Sequence, residues 1–453
     1  MIAAEEEEVK VKITRREAAT AMASALGLAA GQAQTRPGGP PEGRRREAHA
    51  VWAGASDAGT TVESVRTFVS TLKRANIDKV VMCAKETNGN IYWHSKRFPQ
   101  AISPRFKDFD MVENLVREGH QQGLEVHLWA CDFNEGDNSA AFREHPEWAQ
   151  LSPEGQLTNT EPLVGRKYNM VWMCPAQRPG YTDQWLLPMI EELASNYPVD
   201  GIHHDYVRYC GDVAPDGYCF CDYCLRQIPR YALLKWETGP QERQRMEVVR
   251  PRAEANWEAT PDMLPAGWEQ FDRREKADYF LNGRTLPGGP PDMRYFFYEY
   301  RADQITTFVR QAWDRVKRIN PKIQMSAAVF KNPIQSARYL GQKWCDWTPW
   351  IDIFMPMSYR SHFLGSFETY LEHLTEITAR QLEWTHHEKP LYAGIFTSDL
   401  YKEERPSGAN PPEKLARAIE AARKAKPDGI SLFAAGTLTR QKLWPALESL
   451  FKG

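Results

Sequence analysis

The sequence predicts an α/β fold, a (β/α)8 barrel with a large irregular insertion after the fourth strand, and three observations carry that prediction. Eight short apolar runs recur along residues 47–453, most of them separated by segments with apolar residues at helical spacing, the cadence of alternating strands and helices. Two of the strands are entered by the same turn, Val199-Asp200-Gly201-Ile202 and Pro427-Asp428-Gly429-Ile430. The chain has 453 residues, and such a barrel takes about 250, sometimes over 400 with insertions, so one elaborated domain is expected.

In chain order, residues 1–34 stand apart from the fold. Thr14-Arg15-Arg16 leads into the uncharged run Ala18–Ala30 and the small residues Gly31-Gln32-Ala33, the pattern of a twin-arginine export signal peptide, so a periplasmic or extracellular location is expected. Residues 35–46, rich in Pro, Gly and Arg, form a linker. No later stretch approaches the ~20 apolar residues of a membrane-spanning helix.

The expected strands are Glu47–Trp52, Lys79–Cys83, Glu125–Asp132, Gly201–Asp205, Ile323–Val329, Ile351–Met357, Leu391–Phe396 and Gly429–Phe433, each a short apolar run bounded by turn residues. Val62–Ala75, Met111–Gln122, Trp185–Tyr197 and Tyr295–Ile319 carry the helical period between them. Residues 211–292 show no sustained period and are expected to be an irregular insertion over the barrel mouth.

With 57 basic against 59 acidic residues, nothing points to a polyanion such as nucleic acid as partner. The 15 tryptophans suit both a core and the stacking of sugar rings. Cys210, Cys219, Cys221 and Cys224 fall within fifteen residues after the fourth strand, and offer either disulfides or a closed structural zinc site that pins the loop above the mouth. Cys83, Cys131, Cys174 and Cys345 are scattered and are expected to be free core residues.

Barrel enzymes keep their chemistry where strands end, and the fourth strand ends in Gly201-Ile202-His203-His204-Asp205-Tyr206. Side chains alternate along a strand, so Gly201, His203 and Asp205 share the barrel-facing side, and Asp205 rises to the mouth.

Gly123-Leu124-Glu125-Val126-His127-Leu128-Trp129, His145-Pro146-Glu147-Trp148, Met173-Cys174-Pro175-Ala176 and Asp200–Tyr206 together resemble the family 10-like glycosyl hydrolases. Trp52, Tyr92-Trp93-His94-Ser95-Lys96 and Met355-Pro356-Met357-Ser358-Tyr359 extend the resemblance over most of residues 47–450. It implies a barrel that cleaves a polysaccharide or oligosaccharide, peptidoglycan glycan strands included, with a carbohydrate as partner and no cofactor needed for catalysis. Tyr206 stands where that family often has a second acidic residue, and Cys210 where a proline is usual. A fainter similarity to family 18 chitinases rests on Met357-Ser358-Tyr359, while Val207 stands where their essential glutamate would be.

Glycoside hydrolysis ordinarily takes two carboxyl groups. Asp205 is the first choice; Glu86, Asp132 and Asp399 all follow strands that open on the same mouth, with Glu86 preferred for its reach. Trp52, Trp93 and Trp129 are expected stacking platforms, and His94, His203, Tyr206, Arg208 and Tyr359 expected substrate-binding residues. Two other classes stay open: a catalytically silent carbohydrate-binding barrel, and a metal-dependent barrel hydrolase suggested by His203, His204 and Asp205.

Overall fold

A computed structural model describes residues 46–452 except 161, 164–165, 168, 212–216, 237–266, 283–292 and 403–409, so the signal and linker expected at 1–46 and much of the insertion lie almost wholly outside the described residues. Eight parallel strands form the barrel: β1 (Ala48–Ala53), β2 (Lys79–Lys85), β3 (Glu125–Cys131), β4 (Gly201–Asp205), β5 (Gln324–Phe330), β6 (Ile353–Met357), β7 (Tyr392–Phe396) and β8 (Gly429–Phe433). They run in the order β6-β5-β4-β3-β2-β1-β8-β7, and a parallel bridge from Phe354 to Leu391 brings β6 against β7 to close the ring. Each begins or ends within a few residues of its expected limits, because a parallel strand buried on both faces is a short apolar run that turn residues punctuate.

Around the barrel lie α1 (Val62–Arg74), α2 (Met111–Gln121), α3 (Leu187–Asn196), α4 (Asp222–Trp236), α5 (Arg273–Leu281), α6 (Met293–Ile319), α7 (Pro333–Leu340), α8 (Phe367–Trp384), α9 (Glu413–Lys424) and α10 (Trp444–Leu450). Thr61, Asp110, Asp272 and Ser366 cap four of them, each side chain accepting a first-turn backbone N–H. The insertion is therefore not wholly irregular as expected: α4 and α5 fall inside it, and its mixed composition, with Pro229 inside α4, masks their period. No helix among the described residues is long and apolar enough to cross a membrane.

The strands alternate as the pleat requires. Val51, Val80, Leu128, Ile202, Val329, Ile395 and Leu432 pack outward under the helices, while Ala50, Trp52, Val81, Ala328, Met355 and Tyr392 fill the interior. Gly201 is required by this interior, since a Cβ there would lie 2.2 Å from Nδ1 of the buried His127 ring.

The entry turns repeat more widely than their sequences suggest. Asp78, Asp200, Asp352 and Asp428 each precede an even-numbered strand. Each carboxylate accepts the N–H of a residue at the start of the preceding odd strand: His49 at 3.0 Å, Val126 at 2.8 Å, Met325 at 2.9 Å and Leu391 at 3.0 Å. This clasp recurs four times and pins paired strands at the lower face, supplying an acceptor to a backbone N–H at or next to the start of each odd strand.

Candidate active site

The mouth is built from the upper ends of the strands. Asp205 ends β4 in phase with Gly201 and His203, hence on the barrel side, and its Oδ1 accepts the Tyr206 N–H at 2.6 Å. Tyr206 has φ of 51°, a left-handed conformation costly for a residue with a side chain. Such strain in the residue after the strand marks where the chain must turn sharply out of the barrel.

Tyr359, after β6, is the centre of the mouth. It is nearly buried, and its ring stacks on Phe433 of β8 with centroids 5.8 Å apart and approaches Phe396 of β7 at 5.4 Å. Trp129, two residues before the end of β3, is half-buried and meets the edge of Phe433 at 6.2 Å, so four rings form an arc across strands 3, 8, 7 and 6. Burial pushes the Tyr359 hydroxyl well above the usual phenol range, and the negative charges of Asp205 and Asp399 push it in the same direction. The hydroxyl is therefore a donor at any physiological pH, with carboxylates from β4 and from the loop after β7 both acting on it.

Asp399 is held by Ser361, whose N–H and hydroxyl donate to Oδ2. Beyond it, His362 donates from Nδ1 to the Met357 carbonyl at 2.9 Å, and burial holds its pKa below the usual imidazole value, leaving Nε2 as an acceptor. Arg208 is buried, with its guanidinium 4.5 Å from the Trp172 ring, 5.1 Å from Tyr206 and 5.3 Å from Phe330. A cleft of about 350 Å³, lined among others by Gly211, Phe330, Lys331, Asn332, Tyr339 and His362, continues from this wall, a volume in the range of small-ligand sites.

The other expected site residues lie elsewhere. Trp52 is 1% exposed, and its indole N–H donates to His203 Nε2 at 3.1 Å. A second bond, from His203 Nδ1–H to Ser326 Oγ at 2.9 Å, fixes the tautomer, and burial holds this imidazole neutral. His203 is thus a satisfied core histidine that supports the floor below Asp205 and does not bond its carboxylate. Trp93 is fully buried and donates to Glu192 of α3, as does the hydroxyl of Ser95. His94 is exposed on the same loop, tied through its N–H to Asp110 at the start of α2. Neither Trp52 nor Trp93 can stack on a sugar; burial, invisible in sequence, removes both from the surface.

Asp132 is fully buried, and burial raises its carboxyl while His204, 2.8 Å away at Nδ1, opposes the rise. His204 packs edge-on against Phe308 of α6, so this pair faces the helical layer and does not share a pocket with His203. Strand alternation separates the adjacent histidines, and the constellation of a metal-dependent hydrolase does not assemble from them. Glu86 is half-buried and accepts from the Tyr92 hydroxyl and from Asn88 Nδ2. A buried ion pair missed in the sequence, Lys85 with Glu135 at 3.1 Å, lies beside it, with the Tyr181 hydroxyl donating to Glu135 at 2.6 Å.

The expected cysteine group changes membership. The sulfurs of Cys174, Cys219, Cys221 and Cys224 lie within 4.8 Å of one another, all buried. Cys174, expected to be a scattered core residue, replaces Cys210, whose backbone N–H instead donates to Gln150. Topology explains the exchange: the chain returns from the excursion after β3 and passes Cys174 directly under the loop that carries the other three.

Comparison with known proteins agrees with this architecture. A family described as hypothetical glycosyl hydrolase 6 matches residues 64–206, the segment from α1 to the residue after Asp205. The match is to a glycosyl hydrolase-like family, as the motifs implied, under a different family label. An S-layer-related protein of Niallia circulans is 23% identical over 379 residues, covering 75% of this chain and 21% of that protein. The chain thus spans about a fifth of that relative. Among solved structures, a β-galactosidase of Rahnella sp. R3 superposes with a TM-score of 0.55 at 15% identity, over 90% of this chain and 56% of that one. The catalytic domain of a β-amylase from Paenibacillus polymyxa gives 0.52 at 11%, over 87% of this chain and 94% of that one. These likenesses establish the barrel fold.

Proposed function

We propose that the protein is a glycoside hydrolase acting on a polysaccharide or oligosaccharide, with Asp205 and Asp399 as its two carboxyl groups. The observation that carries this reading is the place of Asp205 on the barrel side at the upper end of β4, at a mouth ringed by Tyr359, Phe396 and Phe433, with Asp399 after β7 tied through Ser361 to the segment that carries Tyr359. Two carboxyl groups flanking a donor, beneath an aromatic arc and beside a cleft, are the parts needed to protonate a leaving oxygen, attack or activate water, and hold a sugar ring. Asp399 is preferred to Glu86 as second carboxylate because its bonds to Ser361 hold it beside the segment that carries Tyr359, whereas Glu86 is bonded to Tyr92 and Asn88 on the loop after β2. Trp129 is the stacking platform, Tyr359 and His362 bind sugar hydroxyls, and Arg208 braces the wall that Tyr206 and Trp172 form.

The match to a glycosyl hydrolase-like family supports the activity, and the family 10-like motifs support polymeric glycans as substrate. Export is part of the same reading, supported by the twin-arginine pattern and by the S-layer-related relative.

The test is hydrolysis of a panel of polysaccharides, peptidoglycan stripped of its peptides included, by the wild type and by Asp205→Asn and Asp399→Asn, with products identified by mass spectrometry. Loss of cleavage with retained binding in both variants is expected. Cleavage that survives Asp205→Asn would move the chemistry elsewhere in the barrel, and binding without cleavage by the wild type would make this a carbohydrate-binding barrel.

A further inference from the structure

We infer that Cys174, Cys219, Cys221 and Cys224 form a closed structural zinc site that joins the loop after β3 to the loop after β4. Cys174 follows a short strand, Met170–Trp172, that pairs antiparallel with Asn134–Gly136 just above β3. Cys219 and Cys221 precede α4, and Cys224 lies in its first turn. The ligands thus come from two excursions that are far apart in sequence and meet above the barrel.

The sulfur positions fit one ion better than two disulfides. Cys174 Sγ lies 3.6 Å from Cys224 Sγ and 3.8 Å from Cys221 Sγ, and all four sulfurs fall within 4.8 Å of one another. A tetrahedron with Zn–S bonds of about 2.3 Å has sulfur-to-sulfur edges of about 3.8 Å, whereas a disulfide holds its sulfurs at about 2.05 Å. One cysteine here is near two others at once, which pairwise bonding cannot use. The Cys221 N–H also donates to Cys219 Sγ, at 3.4 Å. Four buried thiols otherwise gain nothing from being gathered at one point. A set of four protein sulfurs leaves no open position, so the ion's role is structural.

The site braces the candidate active site through one short step. Trp172 stands two residues before Cys174, and its ring carries the Arg208 guanidinium at 4.5 Å and meets Tyr206 at 5.7 Å. Anchoring Cys174 to α4 fixes the strand that presents Trp172, and with it the turn that follows Asp205. The site is a positioning element for the mouth.

The test is metal content by mass spectrometry of the full-length protein, purified without chelator, for the wild type, Cys174→Ser and Cys210→Ser. One zinc per chain is expected in the wild type and in Cys210→Ser, with loss in Cys174→Ser. Zinc retained in Cys174→Ser and lost in Cys210→Ser would overturn the ligand set, and iron in place of zinc would overturn the metal. Should Cys174→Ser fail to fold, thiol titration of the wild type unfolded without reductant decides the matter. All eight cysteines reactive after chelation supports the site, and only four reactive means two disulfides and refutes it.

Discussion

The lower and upper ends of the barrel use the same residue, aspartate, in opposite ways. At the lower end Asp78, Asp200, Asp352 and Asp428 repeat one task, each accepting the N–H of the preceding odd strand. At the upper end no task repeats: Asp205 accepts the Tyr206 N–H at the end of β4, and Asp399, on the loop after β7, is held by Ser361. Repetition marks carboxylates that hold strands together, and singularity marks those available for chemistry. A carboxylate at a strand terminus therefore carries no functional meaning until its end of the barrel is known.

The sharpest separation of the two ends is expected from Asp205→Asn. It should lower kcat by ~10³-fold while leaving the unfolding midpoint in urea within experimental error, because a mouth carboxylate supports the reaction and not the strand ladder. Asp200→Ala should do the reverse. It removes the acceptor of the Val126 N–H and of His120 Nε2, at 2.8 Å each, and should cost about 2 kcal/mol in urea unfolding with kcat per folded molecule unchanged.

A further lower-face carboxylate, Glu47, makes the contrast pH-dependent. Burial raises the Glu47 carboxyl, but hydrogen bonds from His49 and Arg423 outweigh it and bring the pKa from 4.5 down to about 2. A depressed acid stabilises the fold fully above its unfolded value and loses that contribution as pH falls towards 2. Glu47→Gln should therefore destabilise the protein by ~1–2 kcal/mol at pH 7 and flatten the acid limb of the stability profile below pH 4.5, seen by thermal unfolding across pH. The mildest effect is expected at the rim. Tyr359→Phe should lower kcat/KM by ~10-fold, about 1.4 kcal/mol, and the two alkaline limbs should coincide up to pH 10, since the wild-type hydroxyl keeps its proton throughout.

The same contrast explains what sequence could reveal. The eight strands were legible because burial on both faces leaves a short apolar run, and the barrel side of Asp205 followed from alternation alone. Depth was not legible: Trp52 and Trp93 have the right residue type after the right strands, yet Trp52 fills the barrel floor against His203 and Trp93 closes the contact with α3. Two of the four lower-face aspartates were noticed through the glycine that follows them. The pairs Ile77-Asp78 and Ile351-Asp352 carry the same signal without it.

Long-range partners were illegible for a different reason. Cys174 lies 45 residues before Cys219 in sequence, and only the fold brings it to the other three. The spacing Cys219-x-Cys221-x-x-Cys224 asked for a fourth sulfur, and proximity in sequence favoured Cys210. Asp399 was likewise one of several carboxylates after strands, and its standing rises only because the fold ties it through Ser361 to the segment that carries Tyr359.

The most direct test of the account compares the two ends in one experiment: turnover of a cleaved glycan and the urea midpoint, measured together for Asp205→Asn and Asp200→Ala. Turnover lost with stability kept in the first, and stability lost with turnover kept in the second, is the predicted result. Turnover retained by Asp205→Asn, with the protein folded, would contradict a catalytic mouth built on that carboxylate.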